Sequence, residues 1–143
     1  MELMNALVDY ESKYRHPLLS GFDVGKLYDI YPEKGNQDTL VGYSWPEKWP
    51  YNDRAGVYAF LDENLEVLYI GKSSMNNSLG SRLGKYVRYN SQKRCELNNH
   101  NLWKGEPRYV VTIAVPDTSR FEAASLEEYL ISHIQTTDNK NGI

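Results

Sequence analysis

The chain has 143 residues, 41% hydrophobic and 24% charged, the composition of one folded domain, or one domain plus an arm, and not of a disordered chain. No apolar run approaches the roughly 20 residues that span a bilayer, and the opening Met1-Glu2-Leu3-Met4-Asn5 lacks the basic start and apolar stretch of a signal peptide, so a cytoplasmic protein with no membrane partner is expected. The net charge of −3 weighs against a nucleic-acid partner, yet from Lys72 to Arg108 eight basic residues stand against two acids, a local footprint that binds phosphate whatever the total.

Residues 2–14 have Leu3, Leu7, Tyr10 and Tyr14 at helical spacing, and His16-Pro17 ends the run. Residues 18–53 are punctuated by Gly21, Gly25, Pro32, Gly35, Gly42, Pro46 and Pro50. They predict an irregular segment with short strands near 26–31 and 40–43, packed on the main domain through aromatics such as Trp45 and Trp49. Residues 56–61 and 66–71 are β-branched and aromatic, with Asp62-Glu63-Asn64 between them as turn chemistry, which predicts a hairpin. Residues 78–90 read as a helix with Leu79, Leu83, Tyr86 and Val87 on one face. The polar stretch 91–104 reads as a loop or a short helical piece. Residues 108–115 form a third strand stopped by Pro116, and 119–134 a helix with Ser119-Arg120-Phe121-Glu122 as its capping box. The order β-β-α-β-α predicts an α+β fold, a small three-stranded antiparallel sheet flanked by helices. The division expected is an N-terminal extension over residues 1–54, packed on the core, and a main domain over 55–143.

The last helix carries one carboxylate in an unusual place. At about 100° per residue, Leu126, Leu130, Ala123, Ile134 and Ile131 share an apolar arc, and Glu127 points into it while Glu128 points to the polar side. An ionised carboxylate in an apolar layer is costly unless it is paired or binds a metal. Arg82 lies on the shoulder of its own helix's apolar face, whereas Lys85 and Arg88 point outward. Its fork of donors suits phosphate oxygens. His16, His100 and His133 show no ligand spacing with the single cysteine, Cys95, which speaks against a zinc site and excludes an internal disulfide.

Gly56-Val57-Tyr58 on the first hairpin strand and Tyr69-Ile70-Gly71-Lys72 on the second resemble the signature of the GIY-YIG nuclease family. Leu79-Gly80-Ser81-Arg82-Leu83 resembles that family's arginine-bearing helix, and Leu126-Glu127-Glu128-Tyr129-Leu130-Ile131 the helix with its metal-binding glutamate. Asn139, twelve residues past Glu127, falls where the family has its closing asparagine, with Asn141 a competitor for that role. The resemblance covers about residues 55–139. It departs from the family in a long polar link from Gly71 to Arg82, which reads as a lid or substrate-reading loop, and in Thr136 and Thr137, where relatives often carry proline. No separate C-terminal targeting domain is expected.

The resemblance implies a metal-dependent endonuclease acting on nucleic acid, DNA first. Glu127 would hold one divalent cation, Mg2+ or Mn2+, Arg82 would neutralise charge on the phosphate, and Asn139 would position a backbone segment or a phosphate. Tyr58 or Tyr69 would be the general base or orient the water. Spacing does not separate them, and the preferred assignment is Tyr58 as base with Tyr69 as its hydrogen-bonding partner. A free tyrosine, with a pKa of about 10, is a poor base, so Lys72 is expected to lower that value. Lys85, Arg88, Lys93 and Arg94 would track the substrate backbone. Tyr86 is expected in the core. Trp45, Trp49 and Trp103 offer either packing or a stacking platform, with packing preferred. Two other readings stay open: a nucleic-acid-binding module without catalysis, and a nuclease subunit of a larger defence or toxin assembly that docks through residues 1–54.

Overall fold

The computed structural model describes residues 2–30, 51–74, 77–89, 95–98 and 102–139. Helix α1 (Glu2–Tyr14) leads into two short strands, β1 (Asp23–Val24) and β2 (Tyr28–Asp29). The hairpin β3 (Gly56–Leu61) and β4 (Val67–Ser73) follows, then helix α2 (Leu79–Leu83) and a small ribbon of β5 (Val87–Tyr89) and β6 (Cys95–Leu97). Strand β7 (Tyr109–Ala114), a 3-10 turn (Asp117–Ser119) and helix α3 (Glu122–His133) complete the described elements. The fold is α+β, with an antiparallel sheet flanked by helices.

The sheet's core is β4-β3-β7, all antiparallel, with β3 in the middle. β1 and β2 both pair with the far edge of β7, so the sheet has five strands and the N-terminal segment supplies two of them. Every residue of β3 is buried, which explains its unbroken apolar run. Its residues alternate between two cores. Val57, Ala59 and Leu61 meet α1 and α3, where Leu3, Leu7, Leu126 and Leu130 lie. Tyr58 and Phe60 meet Leu79, Leu83, Val87 and Leu97 on the other face. Where α1 joins α3, Tyr10 shares a 2.7 Å hydrogen bond with Ser125, and Arg15 Nε lies 2.7 Å from Glu122 Oε1, both side chains under a tenth exposed. Ser119 donates to the other Glu122 oxygen at 2.6 Å. The predicted capping-box glutamate is thus spent on Arg15 and Ser119, and α3 starts at Glu122, three residues late.

The hairpin turn works as its chemistry predicts: Asp62 Oδ1 accepts the backbone N–H groups of Asn64 and Glu66, both at 2.9 Å. The helix predicted over 78–90 is shorter. Ser78 caps α2 and Gly84 ends it, after which residues 87–89 pair as a strand with β6. Leu79, Leu83, Tyr86 and Val87 still reach one core, the last two from a turn and a strand. The polar link resolves into the end of β4 at Ser73 and the cap at Ser78, with residues 75 and 76 outside the described part. The strand predicted near 40–43, Trp45, Trp49, Lys93, Arg94 and Asn141 also lie outside the described residues.

Candidate active site

The hairpin builds the site from the inside out. Tyr58 sits on the central strand and its cross-strand partner on β4 is Gly71. A Cβ at position 71 would fall on the Tyr58 ring and hydroxyl, so only glycine leaves room for the phenol to lie across β4. Gly71 lies inside β4, two residues before its end at Ser73. Tyr58 is 0% exposed, with Phe60 edge-on at 6.1 Å and Tyr69 stacked at 6.3 Å.

Tyr58 and Tyr69 are joined through a third phenol. The Tyr58 hydroxyl donates to Tyr86 Oη at 3.0 Å, and the Tyr86 hydroxyl to Tyr69 Oη at 3.2 Å. Tyr86 stands in the turn after α2, four positions beyond Arg82. Arg82 faces the Tyr58 hydroxyl, and the charge of its guanidinium acts on all three phenols. Its Nε is buried without a hydrogen-bond acceptor.

Residues paired across β3 and β4 share a face. Tyr58, Phe60, Tyr69 and Gly71 therefore face α2, while Val57 and Lys72 face the helical layer of α3. β4 ends the strand order, which lets Arg82 from one face and Glu127 from the other act around its edge. Glu127 is half-buried, as its place in the apolar arc predicts. Burial pushes its carboxyl above the usual carboxylate range, and the charges of Lys72 and Arg82 offset this only in part.

The phenols are shifted against the expectation. Burial first, then the Tyr86 and Tyr69 phenols, push Tyr58 far above the ordinary tyrosine value, and Arg82 opposes weakly. Tyr69 is also raised, by burial, by its bond with Tyr86 and by the Glu127 charge, with Arg82 opposing. Lys72 is not a leading influence on either: its side chain starts from the other face, and its charge acts on Glu127. Tyr69, Lys72, Arg82 and Glu127 reach partly to the surface, whereas Tyr58 does not.

Asn139 binds the backbone of β4. The Ile70 N–H donates to Asn139 Oδ1 at 2.6 Å, and Asn139 Nδ2 donates to the Ile70 carbonyl at 2.8 Å. The neighbouring Asp138 N–H donates to the Leu68 carbonyl at 2.8 Å, while its carboxylate accepts from Lys104 N at 2.7 Å and Gly105 N at 3.3 Å. Of the expected backbone-tracking residues, Lys85 and Arg88 are exposed beside α2 and on β5.

Sequence reasoning missed two parts of this arrangement. Tyr86 was expected as packing, and its spacing from Arg82 was the available signal. Asp138 was masked by the asparagine beside it. Trp103 does pack, as preferred, edge-on to Phe60 at 5.2 Å and Tyr69 at 5.9 Å.

Compared with known proteins, residues 54–141 match the family model described as the GIY-YIG catalytic domain. No curated protein and no solved structure gives a match.

Proposed function

The chain belongs to the GIY-YIG family, a nuclease family, and we propose that it is an active metal-dependent endonuclease that hydrolyses phosphodiester bonds, with DNA as substrate. The observation that carries the reading is the meeting of unlike needs at the edge of β4. Arg82 brings to the three phenols a partly exposed guanidinium, whose fork of donors suits phosphate oxygens. Glu127 has a carboxylate that burial disfavours, which a cation would relieve.

Nucleases of this family generally use a divalent metal. Among the described residues no three or more His, Cys, Asp or Glu side chains gather as a metal cage. One carboxylate with water and phosphate oxygens suits Mg2+ or Mn2+, which dehydrate reluctantly and share substrate oxygens. Glu127 would hold that ion, which when bound supplies a Lewis acid for the scissile phosphate and the leaving oxygen. Lys72 would offset part of the Glu127 charge when the ion is away.

Arg82 would donate to a non-bridging phosphate oxygen and neutralise charge as it develops. Tyr69, and not the sealed Tyr58, would meet the attacking water. Its raised pKa keeps it a neutral phenol that orients the water, the Arg82 charge opposing that shift only in part. Tyr58 and Tyr86 would fix the Tyr69 hydroxyl through the 3.0 and 3.2 Å contacts. Asn139 would hold the β4 backbone, and with it Tyr69 and Gly71, in place.

The test is a cleavage panel of single-stranded, duplex and branched DNA and of RNA, with and without Mg2+ or Mn2+. Metal-dependent cutting, lost in Glu127→Ala with folding intact, is expected. Undiminished cutting by purified Glu127→Ala protein removes the metal role. Tight binding without cutting of any substrate under any metal would replace this reading with a catalytically silent binding module.

A further inference from the structure

A cavity of about 220 Å³ adjoins the catalytic cluster without including Arg82 or Glu127. Tyr69, Tyr86 and Trp103 wall it, Leu102 closes one side, Lys85 and Asn98 stand at it as polar groups, and the Asp138 carboxylate, which accepts the Lys104 and Gly105 N–H groups, also lines it. Two of its walls, Tyr69 and Tyr86, belong to the phenol chain, so whatever fills it sits next to the reacting phosphate. Leu102 is 75% exposed, so a larger side chain there can enter the cavity without displacing the core. Lys85 is exposed beside the aromatic walls. Flat apolar walls, an amide and one cation together match a nucleotide: ring faces for the base, the amide for its edge, the ammonium for a flanking phosphate.

We infer that this cavity takes one unstacked nucleobase of the substrate strand beside the scissile phosphate, an inference that rests on the nuclease reading above. A base inside a continuous duplex cannot enter, because it is held in the stack. The substrate class is therefore a strand with an unpaired nucleotide at the cut: a single strand, flap or bulge. Specificity comes from how easily the base swings out, and the enzyme favours such junctions over perfect duplex.

The test uses the full chain carrying Glu127→Ala, so that bound strands are not consumed, and a set of short single-stranded deoxyoligonucleotides each lacking the base at one position. Binding is expected to weaken about tenfold when one particular base is missing and to change little elsewhere, the scale of one base stacked on aromatic side chains. Leu102→Trp fills the cavity from an exposed position without disturbing the core. In that variant the base-specific loss is expected to vanish. Trp103→Ala is expected to flatten the profile too, and Leu102→Trp keeps the test decisive if Trp103→Ala fails to fold. A uniform profile, or a base-specific loss that persists in Leu102→Trp, overturns the cavity proposal and leaves the nuclease reading standing. No binding to any member of the set also overturns the cavity proposal, and the nuclease reading then stands or falls on the duplex, branched and RNA substrates of the cleavage panel.

Discussion

Gly71→Ala adds one methyl group to the inner face of β4, against the Tyr58 ring and hydroxyl. The ring has nowhere to retreat: Tyr58 is 0% exposed, Phe60 lies edge-on at 6.1 Å and Tyr86 at 5.5 Å. Overpacking a sealed site costs about 1–3 kcal/mol, and the lack of any yielding neighbour places this case near 2 kcal/mol, or a fall in Tm of roughly 4–8 °C for a chain of this size. The shift also breaks the 3.0 Å contact from Tyr58 to Tyr86. A displacement of about 1 Å in such a group lowers cleavage about a hundredfold. Thermal unfolding and single-turnover cleavage measure the two effects. A double-mutant cycle with Tyr58→Leu isolates the cause, because without the ring the alanine at 71 is expected to cost little, giving a coupling of about 2 kcal/mol. Equal losses from Gly71→Ala in both backgrounds would falsify the claim that this glycine exists to seat the phenol.

Glu127→Gln is expected to abolish metal-dependent cleavage and to raise the Tm of the metal-free protein. Its folded pKa is raised by burial, so at neutral pH the charge opposes folding and a neutral amide relieves it. By the same sign, Mg2+ affinity measured by calorimetry should fall with acidification at a midpoint above the ordinary carboxylate range, and a midpoint below it contradicts the placement. Arg82→Ala is expected to slow single-turnover cleavage about 10²–10³-fold with a smaller change in DNA affinity; a loss confined to affinity would make Arg82 a binding residue only. Arg15→Ala breaks a buried ion pair at a cost of about 3–5 kcal/mol, read as a Tm lower by roughly 10 °C. Burial pushes Glu122 up but its bonds from Arg15 and Ser119 outweigh this and hold it below the usual carboxylate range, so the pair's stabilisation is full above that range and lost as pH falls through the lowered value. Identical acid unfolding of wild type and Arg15→Ala would contradict it.

The order of elements and the central hairpin were legible because β3 and β7 read as short, bounded β-branched runs and Asp62 supplies a turn mechanism. Glu127 stood out because helical phase alone puts its side chain among apolar neighbours. The helix predicted over 78–90 failed because Tyr86 and Val87 have the right phase for a helix and for a turn feeding a strand, and Gly84 decides between them. The pairing of β1 and β2 with β7 is a contact across most of the chain, which two-residue strands cannot signal locally. The direction of the tyrosine shifts was illegible for a related reason. Lys72 is close to Tyr69 in sequence, but strand alternation sends the two side chains to opposite faces, and burial then dominates.

Asn139 ends as a consequence for solubility. β4 is the outermost strand of its side, and a bare outer strand is a template on which another chain can grow. The Asn139 amide imitates a peptide unit, occupying both polar groups of Ile70, and the Asp138 N–H takes the Leu68 carbonyl. Two residues thus act as a stub of strand that blunts this margin against self-association, so their replacement should show itself as aggregation at high concentration in addition to any loss of cleavage.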